Sequence, residues 1–193
     1  MVVSRPDHLR ALVSPARQEV LDVMTRLGDV SLAELGAVLG RPADGLYYHV
    51  RALERLGLVE RAGARRKPRH EEALYRAAAP VFAIRYPSDP ARRARAVTPI
   101  AAAMMRLSIR DFRRALGDGQ TRFEGAEREV WALRTTGWLS AQQLRRVNRL
   151  IRALSESTAQ RGPARRLYAV TVVLAPLVHR NNTTGRRARK PPP

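Results

Sequence analysis

The sequence predicts a mainly α protein with a small β content, on three observations. Apolar residues recur at helical spacing in several stretches of the 193-residue chain. Helix starts are marked by Ser14-Pro15, by Ser31 with Glu34, and by Ser140 with Gln143. Two short extended runs, Leu58-Val59-Glu60-Arg61 and Ala73-Leu74-Tyr75-Arg76, flank a polar stretch with Gly63 and Pro68, the pattern of a hairpin.

In order along the chain, Ser14-Pro15 supplies an N-cap and a proline at the first helical position. Val20, Val23, Met24 and Leu27 follow at helical spacing, and Gly28 stops the helix. Ser31 and Glu34 form a capping box, each side chain satisfying the other's backbone N–H, and open a short helix that ends at Gly40. A third helix opens at Pro42 and closes at Gly57, its stripe made by Leu46, Val50, Leu53 and Leu56. Helix, short helix, turn, helix and hairpin in that order make a winged helix-turn-helix, assigned to residues 1–80. Residues 81–118 are read as a linker with Pro80, Pro87 and Pro90 around its start, then one helix from Pro90 to Leu116 kinked at Pro99. Residues 119–178 are read as a small β-α-β unit: Val130 to Thr135 as a strand, a helix with the stripe Leu144, Val147, Leu150, Ile151 and Leu154, and a second strand from Arg166 to Leu174. Residues 179–193, mostly Asn, Thr, Arg and Pro, are expected to form a disordered basic tail.

Lysine plus arginine number 36 against 17 acids, a net charge of +19 that points to a polyanion. Lys67 and Lys190 are the only lysines, and arginine forks phosphates and guanine edges better than lysine does. Codon bias toward arginine can account for the Arg/Lys skew but not for the excess of bases over acids. The charge is uneven: residues 1–80 carry thirteen bases and ten acids, so +3, which leaves +16 for residues 81–193. With no cysteine, disulfides, thiolate metal sites and cysteine catalysis are excluded. Residues 1–15 lack the apolar core of a signal peptide, and the longest apolar run, Leu167 to Val178, is too short for a bilayer span. No membrane partner and a cytoplasmic location are therefore expected.

The third helix carries the chemistry. With Leu46 facing the core, Asp44, Tyr48, Arg51 and Arg55 face away and Tyr47 sits on the flank. Such a helix can lie in the major groove of double-stranded DNA. Arg51 could fork a guanine, Asp44 could accept from cytosine, and Tyr47 and Tyr48 could pack on thymine methyls or bond phosphates. The opposing reading is a solvated face, and two adjacent tyrosines weigh against it. The second signal is the hairpin, where Arg61, Arg65, Arg66, Lys67 and Arg69 stand without an intervening acid, a pattern suited to phosphate or minor-groove contact. His49 is read as a packing or phosphate-contact residue rather than a metal ligand. None of the four histidines has a partner at helical metal-binding spacing, so no metal or cofactor is expected.

These residues carry a resemblance. Ser14-Pro15-Ala16-Arg17, Val30-Ser31-Leu32-Ala33-Glu34-Leu35 and above all the run from Gly45-Leu46-Tyr47-Tyr48-His49-Val50 to Leu56-Gly57-Leu58-Val59 resemble the winged-helix regulators of the ArsR type, over roughly residues 8–78. The resemblance implies a homodimer that binds operator DNA and usually represses. The chain departs from the metal-sensing members, which use cysteine ligands, so their effector logic does not carry over. Residues 92–177 resemble C-terminal extensions found on some members.

The long helix offers a broad face of Val97, Ile100, Ala101, Met104, Met105 and Phe112, assigned to dimerisation, with the segment from His8 to Val13 contributing. Met105, Phe112, Trp131 and Trp138 could line a pocket for a small apolar effector, or serve as core, and core is the heavier reading. No phosphate loop, nucleophile elbow or paired-carboxylate pattern is present, so no enzyme is expected. The sequence reading is thus a homodimeric DNA-binding transcriptional regulator, a repressor on a palindromic operator. Its rival is a winged-helix module that binds protein or RNA, with the basic C-terminal half doing the electrostatic work.

Overall fold

A computed structural model describes residues 1–68, 71–159 and 166–177. Among the described residues there are six helices, a three-stranded sheet and a two-stranded one. The N-terminal unit opens with β1 (Val2–Val3), α1 (Pro6–Ala11) and α2 (Pro15–Leu27), followed by β2 (Val30–Ser31) and α3 (Leu32–Leu39). Next come α4 (Ala43–Arg55), β3 (Val59–Arg66), β4 (Glu71–Ala77) and β5 (Ala83–Ile84). Two long helices complete the described chain, α5 (Pro90–Gly117) and α6 (Ala141–Ala159).

Local chemistry fixes these boundaries. Ser14 occupies the N-cap position of α2 but its side chain makes no cap hydrogen bond, whereas the box at α3 is complete. There the Ser31 N–H donates to Glu34 Oε2 at 2.9 Å and the Glu34 N–H to Ser31 Oγ at 3.2 Å. Gly40 ends α3 in the left-handed region (φ 62°), which any side chain would strain. Gly36 makes the close turn possible: a Cβ there would lie 2.6 Å from the Arg41 carbonyl oxygen, and the Arg41 N–H donates to the Gly36 carbonyl at 3.0 Å. The turn into α4 is therefore packed backbone on backbone.

β2, β4 and β3 form an antiparallel sheet in that order, and β1 pairs in parallel with β5, Val2 opposite Ala83. Met24, Leu35, Leu46, Val50, Leu53 and Leu58 fill the core between helices and sheet, each almost fully buried. The hairpin is longer than expected. Arg65 and Arg66 lie on strand β3 opposite Glu72 and Glu71, not in the loop, because the strands keep pairing past a bulge between Arg61 and Gly63. Neither β2 nor the β1–β5 pair is legible as a strand pattern, since each spans two residues.

α5 runs unbroken through Pro99, although that residue offers no N–H to the carbonyl four positions earlier. Ile100 and Ala103 are buried, Ile100 joins the core of the N-terminal unit, and the Gln18 amide donates to the Ile100 carbonyl at 3.1 Å. α6 starts on the expected Ser140–Gln143 box, with Ser140 N–H to Gln143 Oε1 at 2.8 Å and Gln143 N–H to Ser140 Oγ at 3.3 Å. The two strands expected around α6 are a correction: neither 130–135 nor the 166–174 segment forms a strand among the described residues. A strand needs a neighbour for its N–H and C=O groups. Arg166 and Tyr168 bond the Glu129 carboxylate, but no ladder joins the two segments among the described residues. No described helix is long and apolar enough to cross a membrane. The expected tail, 179–193, lies outside the described residues, as does Arg69.

Candidate nucleic-acid interface

α4 presents two unlike faces. Leu46, Val50 and Leu53 are buried, while Asp44, Tyr47, Tyr48, Arg51 and Arg55 are exposed, Tyr47 to 52% and Tyr48 to 62%. The four predicted base-reading residues thus stand together along one open side. Arg51 is not free: its guanidinium bonds the Glu54 carboxylate, and Arg55 Nε donates to the Arg51 carbonyl at 3.3 Å. An exposed pair three residues apart is worth about 0.2–0.5 kcal/mol, whereas a bidentate arginine on guanine discriminates by about 1–3 kcal/mol. Glu54 can therefore hold Arg51 in the free protein and release it to a base.

Arg17 and Arg41 extend the basic surface and were not singled out from sequence. The Arg17 guanidinium lies 6.0 Å from the Tyr48 ring centroid, at the limit of a cation–π contact. Burial, then the Arg17 and Arg41 charges, lower the proton affinity of His49 below the ordinary histidine value. His49 is half-buried with its Nδ1 shielded from solvent, and its ring stands edge-on to Tyr48 at 5.7 Å. Arg41 is tied down: its Nη2 lies 2.7 Å from Glu19 Oε2. The same buried carboxylate accepts from Arg110 of α5 at 2.5 Å, so Glu19 joins α2, the turn and α5.

The wing differs from expectation. Its bases do have acids to pair with: Arg65 bonds Glu34 at 2.5 Å and Lys67 bonds Glu72 at 2.8 Å. Bonds from the Ser31 N–H and then from Arg65 hold the Glu34 carboxyl below the usual carboxylate range. Sequence spacing could not show these pairs, because the hairpin folds over the start of α3 and places Arg65 thirty-one residues from its partner. Arg61 and Arg66 are exposed and carry no ion pair among the described residues.

The segment from α1 into β3 has a known counterpart. Residues 8–62 match the family model of a helix-turn-helix domain. A comparison with curated proteins finds no match. The helix-turn-helix domain is a DNA-binding regulatory unit rather than a catalytic one, and α3, the Gly40 turn and α4 are its defining elements here.

The remaining predicted residues scatter. On α5, Ile100 is buried, Val97, Ala101 and Phe112 are half-buried, and Met104 and Met105 are exposed. Ile100 therefore packs inside its own chain rather than on a partner. Leu9 and Ala11 of α1 and the C-cap residue Leu12 are likewise buried in the core. Met105, Trp131 and Trp138 stand open at 44%, 67% and 90%, and the Arg128 guanidinium covers the Trp131 ring at 4.2 Å.

Proposed function

We propose that this chain is a homodimeric, sequence-specific transcriptional regulator of the ArsR type, acting in the cytoplasm as a repressor on a palindromic operator. The observation that carries the reading is α4, a helix with a fully buried face and an opposite face of Asp44, Tyr47, Tyr48 and Arg51, in a matched helix-turn-helix domain. Each protomer would lay α4 in the major groove, with Arg51 and Asp44 at base edges and the tyrosines on methyls or phosphates. Arg17, Arg55, Arg61 and Arg66 would neutralise flanking phosphates, and Arg65 and Lys67 would do so by exchanging their carboxylates for phosphate. Repression would follow from occupying the operator.

Selection from a random duplex library, followed by titration at fixed salt, tests this. The expected result is a motif of two half-sites with centres about 10–10.5 base pairs apart, or a multiple, and a preference over random duplex of ~10³ or more. Arg51→Ala should then relax preference at one position of each half-site. Equal affinity for all duplexes, or tighter binding to RNA, would defeat the reading.

A further inference from the structure

We infer that α6, led by Trp138 and Leu139, is an interfacial helix that lies flat on a bilayer of anionic phospholipid. The inference goes beyond the DNA reading and does not rest on it.

α6 carries two chemistries around its axis. Leu144, Val147, Leu150, Ile151 and Leu154 fall within an arc of about 120°. None of the nineteen residues of the helix is buried among the described residues, and Leu144, Leu150 and Leu154 are 41%, 62% and 38% exposed. Arg145, Arg149 and Arg152 stand away from that arc, and Arg146 borders it, about 40° from Leu150. Glu156 is the one acid of α6 against four arginines, and residues 130–155 contain no acid at all. Just ahead of Ser140, Trp138 and Leu139 are 90% and 48% exposed.

A helix with leucines on one face and arginines on the other belongs in the plane of a membrane surface. Tryptophan is enriched at the same depth, where headgroups meet acyl chains. No described helix is long and apolar enough to cross a bilayer, so the contact is along its surface.

The arginines select the occupant. Duplex DNA would take Arg145, Arg149 and Arg152 and leave the leucines in water. A second α6 would cover the leucines but bring two Arg146 borders together, with only Glu156 of each helix to offset them. A folded acidic partner would have to reach both sides of the helix at once. An anionic bilayer meets both. Its acyl chains receive the leucines, and its phosphates stand just above them. Arg146 reaches those phosphates with its stem along the apolar surface and its head in water. The remaining arginines draw the helix toward the negative leaflet.

A chain of net charge +19 adheres to any anionic surface, so the test turns on the leucines. The full chain is floated with vesicles of equal parts phosphatidylglycerol and phosphatidylcholine, and with phosphatidylcholine alone. Partition onto the anionic vesicles should be stronger by roughly tenfold or more. In Trp131→Phe, which leaves Trp138 as the sole tryptophan, fluorescence should shift to the blue as anionic vesicles are added. Leu150→Asp with Leu154→Asp should cut that partition by roughly tenfold or more, abolish the shift, and leave the cooperative unfolding of the N-terminal unit unchanged. Arg146→Gln with Arg149→Gln should weaken partition onto the anionic vesicles and leave helix content unchanged. Equal partition onto both kinds of vesicle overturns the inference. So does binding that the Asp pair leaves intact, which would be adhesion of a basic chain and no more. A solution dimer that the Asp pair dissolves, in a wild type that leaves the vesicles alone, overturns it in favour of a second copy. Loss of duplex preference would fail the DNA reading and leave this inference standing.

Discussion

Residues 1–103 and residues 118–177 are built from similar shares of apolar side chains and use them in opposite ways. Among the described residues, twenty of the twenty-one buried hydrophobic residues lie at or before Ala103, and Val130 alone lies beyond it. The first region buries one contiguous core, the second leaves most of its described leucines and valines and both tryptophans exposed, and the two carry similar net charges, +6 and +5. Apolar content alone therefore does not decide where a core forms. The first region supplies faces that meet within one chain: α2, α3 and α4 turn their stripes inward and the sheet closes them. The second supplies a regular face on α6, where no residue is buried among the described residues.

Core truncation should break this contrast most sharply. Leu53→Ala removes a fully buried side chain and should cost about 2–5 kcal/mol, read by denaturant unfolding. Leu150→Ala, measured at a concentration low enough to keep the chain monomeric, should stay within ~0.5 kcal/mol. Equal losses at the two positions would mean that the second region has a core within one chain after all.

Gly36→Ala comes next. The added methyl would press on the Arg41 carbonyl, which as backbone has little freedom to yield. A loss of about 1–3 kcal/mol and a weaker affinity for the selected duplex are expected. Stability lost without any change in affinity would show that the turn does not position α4.

A smaller effect belongs to the wing. Arg61→Ala and Arg66→Ala should each flatten the slope of log K against log salt by about 0.9 if they contact phosphate, with folding unchanged within ~0.5 kcal/mol. Arg65→Ala should differ, because it also frees Glu34 from an ion pair at the start of α3. An exposed pair of this kind is worth about 0.2–1 kcal/mol. If all three variants behave alike, the Arg65–Glu34 pair is without consequence.

The smallest is a pH effect at His49. Its proton affinity is lowered in the folded chain, so the unfolded chain takes up the proton first as pH falls. The stability tied to neutral His49 is complete above the ordinary histidine pKa of about 6.5 and declines as pH drops below it. Between pH 7.5 and 5.5 the wild type should lose more stability than His49→Gln. Equal losses would place the titration elsewhere.

The winged helix was legible because its signals are local. The Ser31–Glu34 box, Gly40 and the Leu46, Val50, Leu53 stripe each depend on residues a few positions apart, and each stands where the sequence put it. What escaped was long-range. The Arg65–Glu34 and Glu19–Arg110 pairs join residues far apart in the chain, so spacing gave no sign of them. The C-terminal strands failed for another reason: β propensity marks a segment that can join a sheet, not whether its own chain provides the neighbour.

Glu19 gives the molecule a ruler. One buried carboxylate clamps the turn before α4 through Arg41 and the long α5 through Arg110. The pose of the reading helix is thereby referred to α5, and in a dimer to the two-fold axis. On the proposed dimer the distance between the two α4 helices would be nearly fixed, and half-site spacing would become a quantity the protein measures. Inserting one base pair between half-sites rotates one site about a tenth of a turn away from its helix and lengthens the gap by about 3.4 Å. A hinged pair of winged helices would absorb that insertion, whereas a clamped pair would reject it as firmly as a wrong base. Glu19→Gln weakens the clamp without emptying the space, and so separates tolerance for spacing from tolerance for sequence.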